Sequence, residues 1–579
     1  MLVPGRALNA PAGAAVSSGW LGQRRAPLTA PWVAAPLLAL ALALAYLAWA
    51  PPSADLAAAT YRAGIFAHSG WTIWDDGWYA GHNLLAYSLL APALGTWLGL
   101  RTLLAICAVV AAACFGVLAQ RAFLRPGAAL ASSLAFAFGY CAELPSGRVP
   151  YDLGVALGLA ALCALAWSQE GHGRGRFALA LALALATCAA SPVAGTFLAL
   201  AGAAVALVAL AGGAAERRRS LARRAFALAL ASLAPVVLLA IAFPEGGREP
   251  FAAGAFWPEL AAACALAALI PRGGLTWRAW LVLRLGAALY ALALALSFAI
   301  GSPLGGNVVR LGALFGAPIA VGALWGTGEV AIARRRLPWW AVLLALSPVL
   351  LYWQLATAID DHVALAGDPA VNASFYAPLR AQLERLAAGG PLRVEVPMTG
   401  AHWESAYLPG GRISLARGWE RQLDTRDAAL FYRPGLGAAA YRVWLRQDAV
   451  GYVALPHARL DAAGRAEAAV IRSRPSYLHE IWHSPSWRLF AVQGATPLAQ
   501  PPAQMTALAG QGFTLRVPRA GSYRVALRFS PYWAVSGGDG CVQEAPGGWT
   551  LVRAPGPERL VASIEFSLGR IFEHGPRCR

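Results

Sequence analysis

The chain has 579 residues, 58% of them hydrophobic and 13% charged, with a mean hydropathy of +0.52 and a net charge of +18. Soluble domains average about 45–50% apolar and about 25% charged residues, so this composition excludes a soluble enzyme, a disordered chain and a fibrous protein. It describes a membrane protein with a soluble part attached.

A bilayer core takes about 20 apolar residues per helix. Eleven runs qualify in chain order: 31–50, 100–119, 127–143, 151–168, 177–190, 193–212, 225–243, 254–270, 279–299, 307–328 and 338–356. The run at 31–50 is too long for the core of a cleaved signal peptide. The stretch 83–98 is ambiguous and reads as a helix lying at the outer interface or re-entering. All 47 basic residues are arginine. Arg6, Arg24 and Arg25 precede the first span. Counted onward, Arg121 and Arg125, Arg174 and Arg176, Arg217–Arg219 with Arg223 and Arg224, Arg272 and Arg278, and Arg334–Arg336 all fall on the same side. By the positive-inside rule that side, with the N-terminal tail (1–30), is cytoplasmic. The basic charge is therefore topological, and no nucleic-acid partner is expected.

The opposite side collects the chain's unusual polar motifs. These are WTIWDDGWYAGH (71–82) in a long first outer loop (51–99), ELPSGRVPYD (143–152), SP (191–192), FPEGGREPF (243–251) and GSPLGGNVVR (301–310). Polar groups at membrane depth are costly unless they line a cavity or serve function, so one composite site at the outer surface is expected. Hydropathy falls after 356. LRVEVP (392–397), VGYVALP (450–456) and WRLFAV (487–492) read as strands, and 372–387 and 439–447 as helices. The expectation is an extracytoplasmic α/β domain over 357–496 and, past a Pro-rich linker, a β-sandwich-like end over 497–579. Of eight cysteines, six lie in apolar runs; Cys541 and Cys578 lie in the end domain and could pair outside the cytoplasm.

At WDDGWYAGH the sequence resembles the GT-C superfamily of membrane glycosyltransferases. More closely, SGRVPYDLG, SPVAGTFLAL, FPEGGREPF, SPLGGNVVRLGALFGAP and HWESAYLPGGRISLARGWERQLD are similar to an actinobacterial family of integral membrane proteins labelled as related to 6-pyruvoyl-tetrahydropterin synthase. The resemblance implies an α-helical polytopic fold of about eleven spans in the plasma membrane, with the C-terminal part outside. It implies transfer of a sugar from a polyprenyl-phosphate donor to a cell-envelope glycan acceptor. An acidic residue of the first outer loop, Asp75 or Asp76, would act as base on the acceptor hydroxyl or orient it; adjacent residues diverge, so at most one of the two points into the site. In such enzymes the acid can also help hold a divalent cation.

Other residues read both ways. Trp71, Trp74, Trp78 and Tyr79 could stack on sugar or form an interfacial belt. His82 could assist proton movement or hold the loop by a hydrogen bond. Arg148, Arg248 and Arg310 are the outer-loop arginines, suited to a donor phosphate or to pairing with neighbouring carboxylates. The glycine run 302–307 makes an anion nest or a tight turn. His402 and Glu404, with Arg417–Asp424, would roof the membrane site and contact the acceptor, or hold the domain down. Two other function classes fit the composition: a transporter or flippase of a lipid-linked precursor, and a non-catalytic envelope assembly protein. No clear inverted repeat supports the former.

Overall fold

Ala- and Leu-rich runs favour helix intrinsically, and in a bilayer the helix is the one open-ended way to satisfy every backbone group. In the computed structural model, which describes residues 27–579 apart from 170–172, 214, 333–334, 574 and 579, these runs are helices. They are α1 (Pro31–Trp49), α4 (Leu100–Ala122), α5 (Pro126–Glu143), α6 (Val149–Trp167), α7 (Gly173–Ala190), α8 (Pro192–Ala211), α9 (Glu216–Ala242), α10 (Ala253–Leu269), α11 (Trp277–Ala299), α12 (Arg310–Leu324) and α13 (Trp339–Leu365); α2 (Asp55–Ser69) and α3 (Ala91–Leu98) lie in the first long loop. Ten of the helices, counting α12 with the turn before it, are long and apolar enough to cross a membrane. The eleventh expected span, α10, has 17 residues, about 25 Å of helix. The ambiguous stretch 83–98 yields only the eight-residue α3, too short to span. Arg6, Arg24, Arg25 and Arg334 lie outside the described residues.

Local chemistry sets the starts. Proline opens α1, α5 and α8, where its missing N–H costs nothing. Ser191 and Thr276 accept hydrogen bonds from Ala194 and Ala279 N–H, capping α8 and α11. Where helices touch, glycine lets backbones approach: a Cβ on Gly116 would lie 2.7 Å from the Pro31 carbonyl, and one on Gly202 3.0 Å from that of Ala225.

The bundle has two distinct ends. At one, the arginine-bearing connections meet: Leu124 N–H donates to Gly274 O and Thr276 N–H to Ala122 O. There β3 (Glu329–Ile332) and β4 (Arg335–Pro338) form a hairpin. At the other end, all the polar loops join. Ser53 Oγ donates to Ser146 O, Leu89 N–H to Ala189 O and Glu249 N–H to Ser302 O, and Tyr151 Oη to Arg310 O.

The C-terminal region covers that polar end. Strands β5 (Leu392–Glu395), β6 (Ile413–Leu415), β7 (Tyr452–Pro456), β8 (Leu478–His483) and β9 (Trp487–Val492) form one sheet in the order β6-β5-β7-β9-β8, parallel across the first three and antiparallel beyond. Beneath it, Arg417 is buried against Asp424 (2.8 and 2.6 Å), Glu467 (3.2 Å) and Glu395 (3.7 Å). Burial and crowding push Glu395 well up and Glu467 to about 7, so the lone guanidinium is not asked to balance three full charges. The end region is a sandwich of two four-stranded sheets around Phe513, Leu515, Val525, Trp533, Val552 and Leu560. Cys541 and Cys578 are joined by a disulfide, Cα atoms 4.0 Å apart, between facing strands.

Candidate functional site

The segment WDDGWYAGHN folds into a two-residue hairpin, Trp74–Asp75 (β1) against His82–Asn83 (β2). Its turn uses left-handed backbone at Tyr79, Ala80 and Gly81. Both C-terminal units grip it through the backbone: Leu415 N–H donates to Gly77 O, and Arg528 N–H to Ala80 O. Its aromatic residues divide between the two units. Trp74 enters the sandwich core, edge-on to Trp533. Trp78 is fully buried, stacks on Tyr61 at 4.4 Å and donates to Ser405 O at 3.0 Å. Tyr79 donates to Gly418 O at 2.6 Å. The expectation that Trp78 and Tyr79 stack on sugar is therefore corrected: their surfaces are consumed by protein. Trp71 alone of the group is exposed, at 62%.

Asp75 and Asp76 diverge as expected but not into a shared membrane cavity. Asp75, 4% exposed, accepts from Tyr61 Oη at 3.0 Å and sits 3.8 Å from His82 Nδ1. Burial raises it to about 6, with Tyr61, Gly77 and Arg62 opposing. Burial drives His82 down to about 3, leaving a neutral ring. Asp76, 6% exposed, turns toward Gly510 and Arg393 of the C-terminal units; burial, then Asp75, raise it to about 8. Neither aspartate meets Arg248 or Arg310, because the hairpin is clamped between the two C-terminal units.

What does meet at the polar end is centred on Asp55. The Pro51–Pro52 pair stops helix α1, Ser53 Oγ accepts from Leu56 N–H to start α2, and Asp55 stands at its first residue. The Asp55 side chain is 31% exposed and takes a hydrogen bond from Arg148 Nε at 3.2 Å. Arg148 also donates to Glu143 at 3.1 Å; burial opposes its charge, and Glu143 and Asp55 hold it well above the usual range. Arg310 lies over the Tyr151 ring at 5.4 Å and, among the described residues, has no carboxylate partner. Arg62 pairs with Glu420 and stacks 3.7 Å over Tyr87. Glu249 completes the group: burial raises it to about 7, opposed by Arg310 and Arg421, with Asp55 and Glu420 adding to the rise. Arg248, by contrast, is exposed at the rim, its side chain against Gly301.

The glycine run at 302–307 is a turn. Gly305 N–H donates to Ser302 Oγ and Asn307 N–H to Leu304 O, and the space a Cβ would fill at Gly305 holds the Glu249 carbonyl. The roof residues also divide. Glu404 is buried on Thr399 N–H and Oγ1 (3.0 and 2.6 Å), and His402 stacks on Trp419 at 3.4 Å with Asp461 3.7 Å from Nε2. Their expected acceptor contact is corrected to a structural role. Glu420 reaches the cluster through Arg62, and Arg421, anchored on Asp461 at 2.9 Å, lies over Trp419 and bears on Glu249.

Sequence reasoning missed Asp55, Arg62, Tyr87, Tyr151 and Glu249. One signal was there for Asp55: it is the first acidic residue after the first span, directly behind a helix stop. Among the described residues no three His, Cys, Asp or Glu side chains converge as a metal site requires, and Arg148 already stands between Asp55 and Glu143. The residues thus do not fit the divalent cation that the resemblance allowed.

No family model matches the chain, and no curated protein matches it. Solved structures similar over most of its length include two transferases. An arabinofuranosyltransferase, AftD, from Mycobacteria is 17% identical with a TM-score of 0.46, over 85% of this chain and 43% of that one. The Archaeoglobus fulgidus oligosaccharyltransferase, tethered with an acceptor peptide, is 13% identical with a TM-score of 0.44, over 80% and 74%. This chain spans under half the length of the first.

Proposed function

We propose that this protein is a membrane glycosyltransferase that moves a sugar from a polyprenyl-phosphate donor to a cell-envelope glycan at the domain-bearing face of the plasma membrane. The observation that carries the reading is a partly exposed carboxylate, Asp55, whose charge acts on Arg310, an arginine with no carboxylate partner among the described residues, at the end of the bundle that the C-terminal region roofs. Such an arginine at the membrane boundary suits a lipid phosphate, which it can bind bidentately.

Asp55 takes the proton of the acceptor hydroxyl as that oxygen attacks the anomeric carbon. The bond from that carbon to the phosphate oxygen breaks, its electron pair leaves with the polyprenyl phosphate, and Arg310 stabilises the charge gained there. Arg148 holds Asp55 in position. The arginine distribution supports placing this face outside the cytoplasm.

The test is transfer of labelled sugar by the purified full-length protein from a panel of polyprenyl-phosphate sugars. Asp55→Asn keeps size but cannot accept the proton, and the rate is expected to fall about 10²-fold or more. Full activity of that variant would refute the assignment of the base.

A further inference from the structure

Toward the arginine-bearing end of the bundle, α8, α10 and α11 leave a groove of about 720 Å³ between them, within the roughly 300–1,000 Å³ typical of ligand sites. Its walls come from 207–211, 264–268 and 281–291 and consist of alanine, leucine, valine and Cys264, with one charged residue, Arg284. Leu207 is 46% exposed and Cys264 is exposed, so the groove opens on the outer surface of the bundle, where lipid lies.

Arg284 stands seven residues beyond Trp277, the start of α11, about 10 Å along the axis. A charge at such depth is costly and is kept where it meets a partner. Its Nε donates to Ala267 O at 2.7 Å near the end of α10, and its guanidinium lies 4.8 Å from the centre of the Trp280 ring. Capping α10 uses one of five N–H groups. The two terminal nitrogens have no protein partner among the described residues, and the side chain is half-buried. Helical side chains lean toward the N-terminus, which for α11 is the arginine-bearing end. In that direction Trp280 stacks on Trp277 at 4.9 Å, and Arg272 lies 4.2 Å over Trp277. Arg284, Trp280, Trp277 and Arg272 thus form a ladder from the groove to the edge of the bundle, with a cation at each end. Arg218 adds a third: it folds against Gly212, one residue past the α8 wall, where a Cβ would lie 3.0 Å from its Nη1. None of these three arginines has a carboxylate partner among the described residues. An apolar cleft with unpaired arginines at its mouth complements hydrocarbon chains that end in an anion, and arginine can hold a phosphate bidentately.

We propose that this groove binds an anionic phospholipid of the leaflet at the arginine-bearing end, with acyl chains against α8, α10 and α11 and the phosphate on Arg284. The inference does not depend on the transferase reading, whose residues lie at the opposite end of the bundle. The full-length protein in detergent is titrated with dioleoylphosphatidylglycerol, dioleoylphosphatidylcholine or decaprenyl phosphate, and retained lipid is counted by native mass spectrometry. One phosphatidylglycerol should be held about tenfold more tightly than phosphatidylcholine, whose choline offsets the phosphate charge. Arg284→Met should weaken phosphatidylglycerol about ten- to a hundredfold, as loss of a charged hydrogen bond does, with a smaller effect on phosphatidylcholine. Ala288→Trp fills the groove and should weaken both. A phosphatidylglycerol carrying a diazirine in its acyl chain should label peptides within 204–212, 261–270 or 277–292 of the parent protein, and this mapping stands even if a variant does not fold. Equal retention of the two phospholipids, undiminished phosphatidylglycerol binding by folded Arg284→Met, or labelling only elsewhere would overturn the proposal. So would displacement of phosphatidylglycerol by an equal amount of decaprenyl phosphate, or a dimer that Ala288→Trp dissociates, which would make a second copy the occupant.

Discussion

Asp76→Asn tests whether the acidic pair of the first loop is structural. Asp76 titrates near 3.8 when exposed and near 8 when folded, because burial, and then the neighbouring Asp75, outweigh Gly510 and Arg393. A carboxyl raised on folding stabilises in its protonated form. Below about pH 4 both states hold the proton; between there and about pH 8 only the folded state does, so each pH step upward favours unfolding. At 1.36 kcal/mol per pH unit the full loss is bounded at about 6 kcal/mol. Buried sites respond as though more polar than a dry interior, and about half of that bound is the working figure. Asparagine cannot ionise and so escapes the penalty. The variant's advantage should be small near pH 4.5 and grow toward pH 8.5, reaching roughly 2–3 kcal/mol, or about 4–10 °C in Tm for a unit of this size. Thermal unfolding followed by tryptophan fluorescence across that range, with transfer activity retained, is the expected outcome. A pH-independent difference, or a variant less stable at pH 8.5, would show that Asp76 is ionised and held by Arg393, and would refute the argument.

Other outcomes follow from single contacts. Arg310→Ala should raise the KM for a polyprenyl-phosphate donor by about tenfold or more, the loss of one charged hydrogen bond worth about 1.5–3 kcal/mol, with acceptor KM unchanged; an equal effect on both would count against a donor-phosphate role. Replacing Cys541 and Cys578 together with serine opens a loop of 37-residue separation and should lower the stability of the sandwich by roughly 3–4 kcal/mol, read as earlier proteolysis of the C-terminus. A reporter active only outside the cytoplasm should work when fused after residue 579 and stay silent near Arg218; the reverse would invert the topology on which the donor assignment depends.

The membrane half was legible because its rules are strict. Span length is set by the bilayer, so eleven apolar runs gave eleven helices with ends displaced by a few residues. The largest displacements are at α9, which begins at Glu216 rather than 225, and at α13, which continues to Leu365 although hydropathy falls at 356. Asp360 and Asp361 lower the average there without breaking the helix, since neither is a poor enough helix former to end it. The strands at 392–397, 450–456 and 487–492 were visible by their β-branched and aromatic content, and the antiparallel β8 was not: LHEIWH breaks its Leu, Ile and Trp with His and Glu and lies largely exposed at an edge, where pairing as much as composition makes the strand.

The candidate site was less legible, and the reason is specific. Asp75 and Asp76 attracted notice through their aromatic company, but aromatic density marks burial as readily as it marks ligand binding. Trp74, Trp78 and Tyr79 lock one loop into two separate cores, and burial of those rings carries the aspartates away from solvent with them. Asp55 has no aromatic neighbours in sequence, and its company is assembled from Arg148, Tyr151, Glu249 and Arg310, drawn from three other loops and helix starts. Such a site leaves a trace in sequence only as isolated charges at span boundaries. Those are the positions where the cost of a charge near the bilayer is lowest, and where a lone acid such as Asp55 is easily read as a helix cap. The contrast lies in accessibility: a carboxylate that stands in the first turn of a helix and remains 31% exposed, with Arg148 and Arg310 acting on it, can meet a substrate hydroxyl, whereas one sealed behind tryptophan cannot.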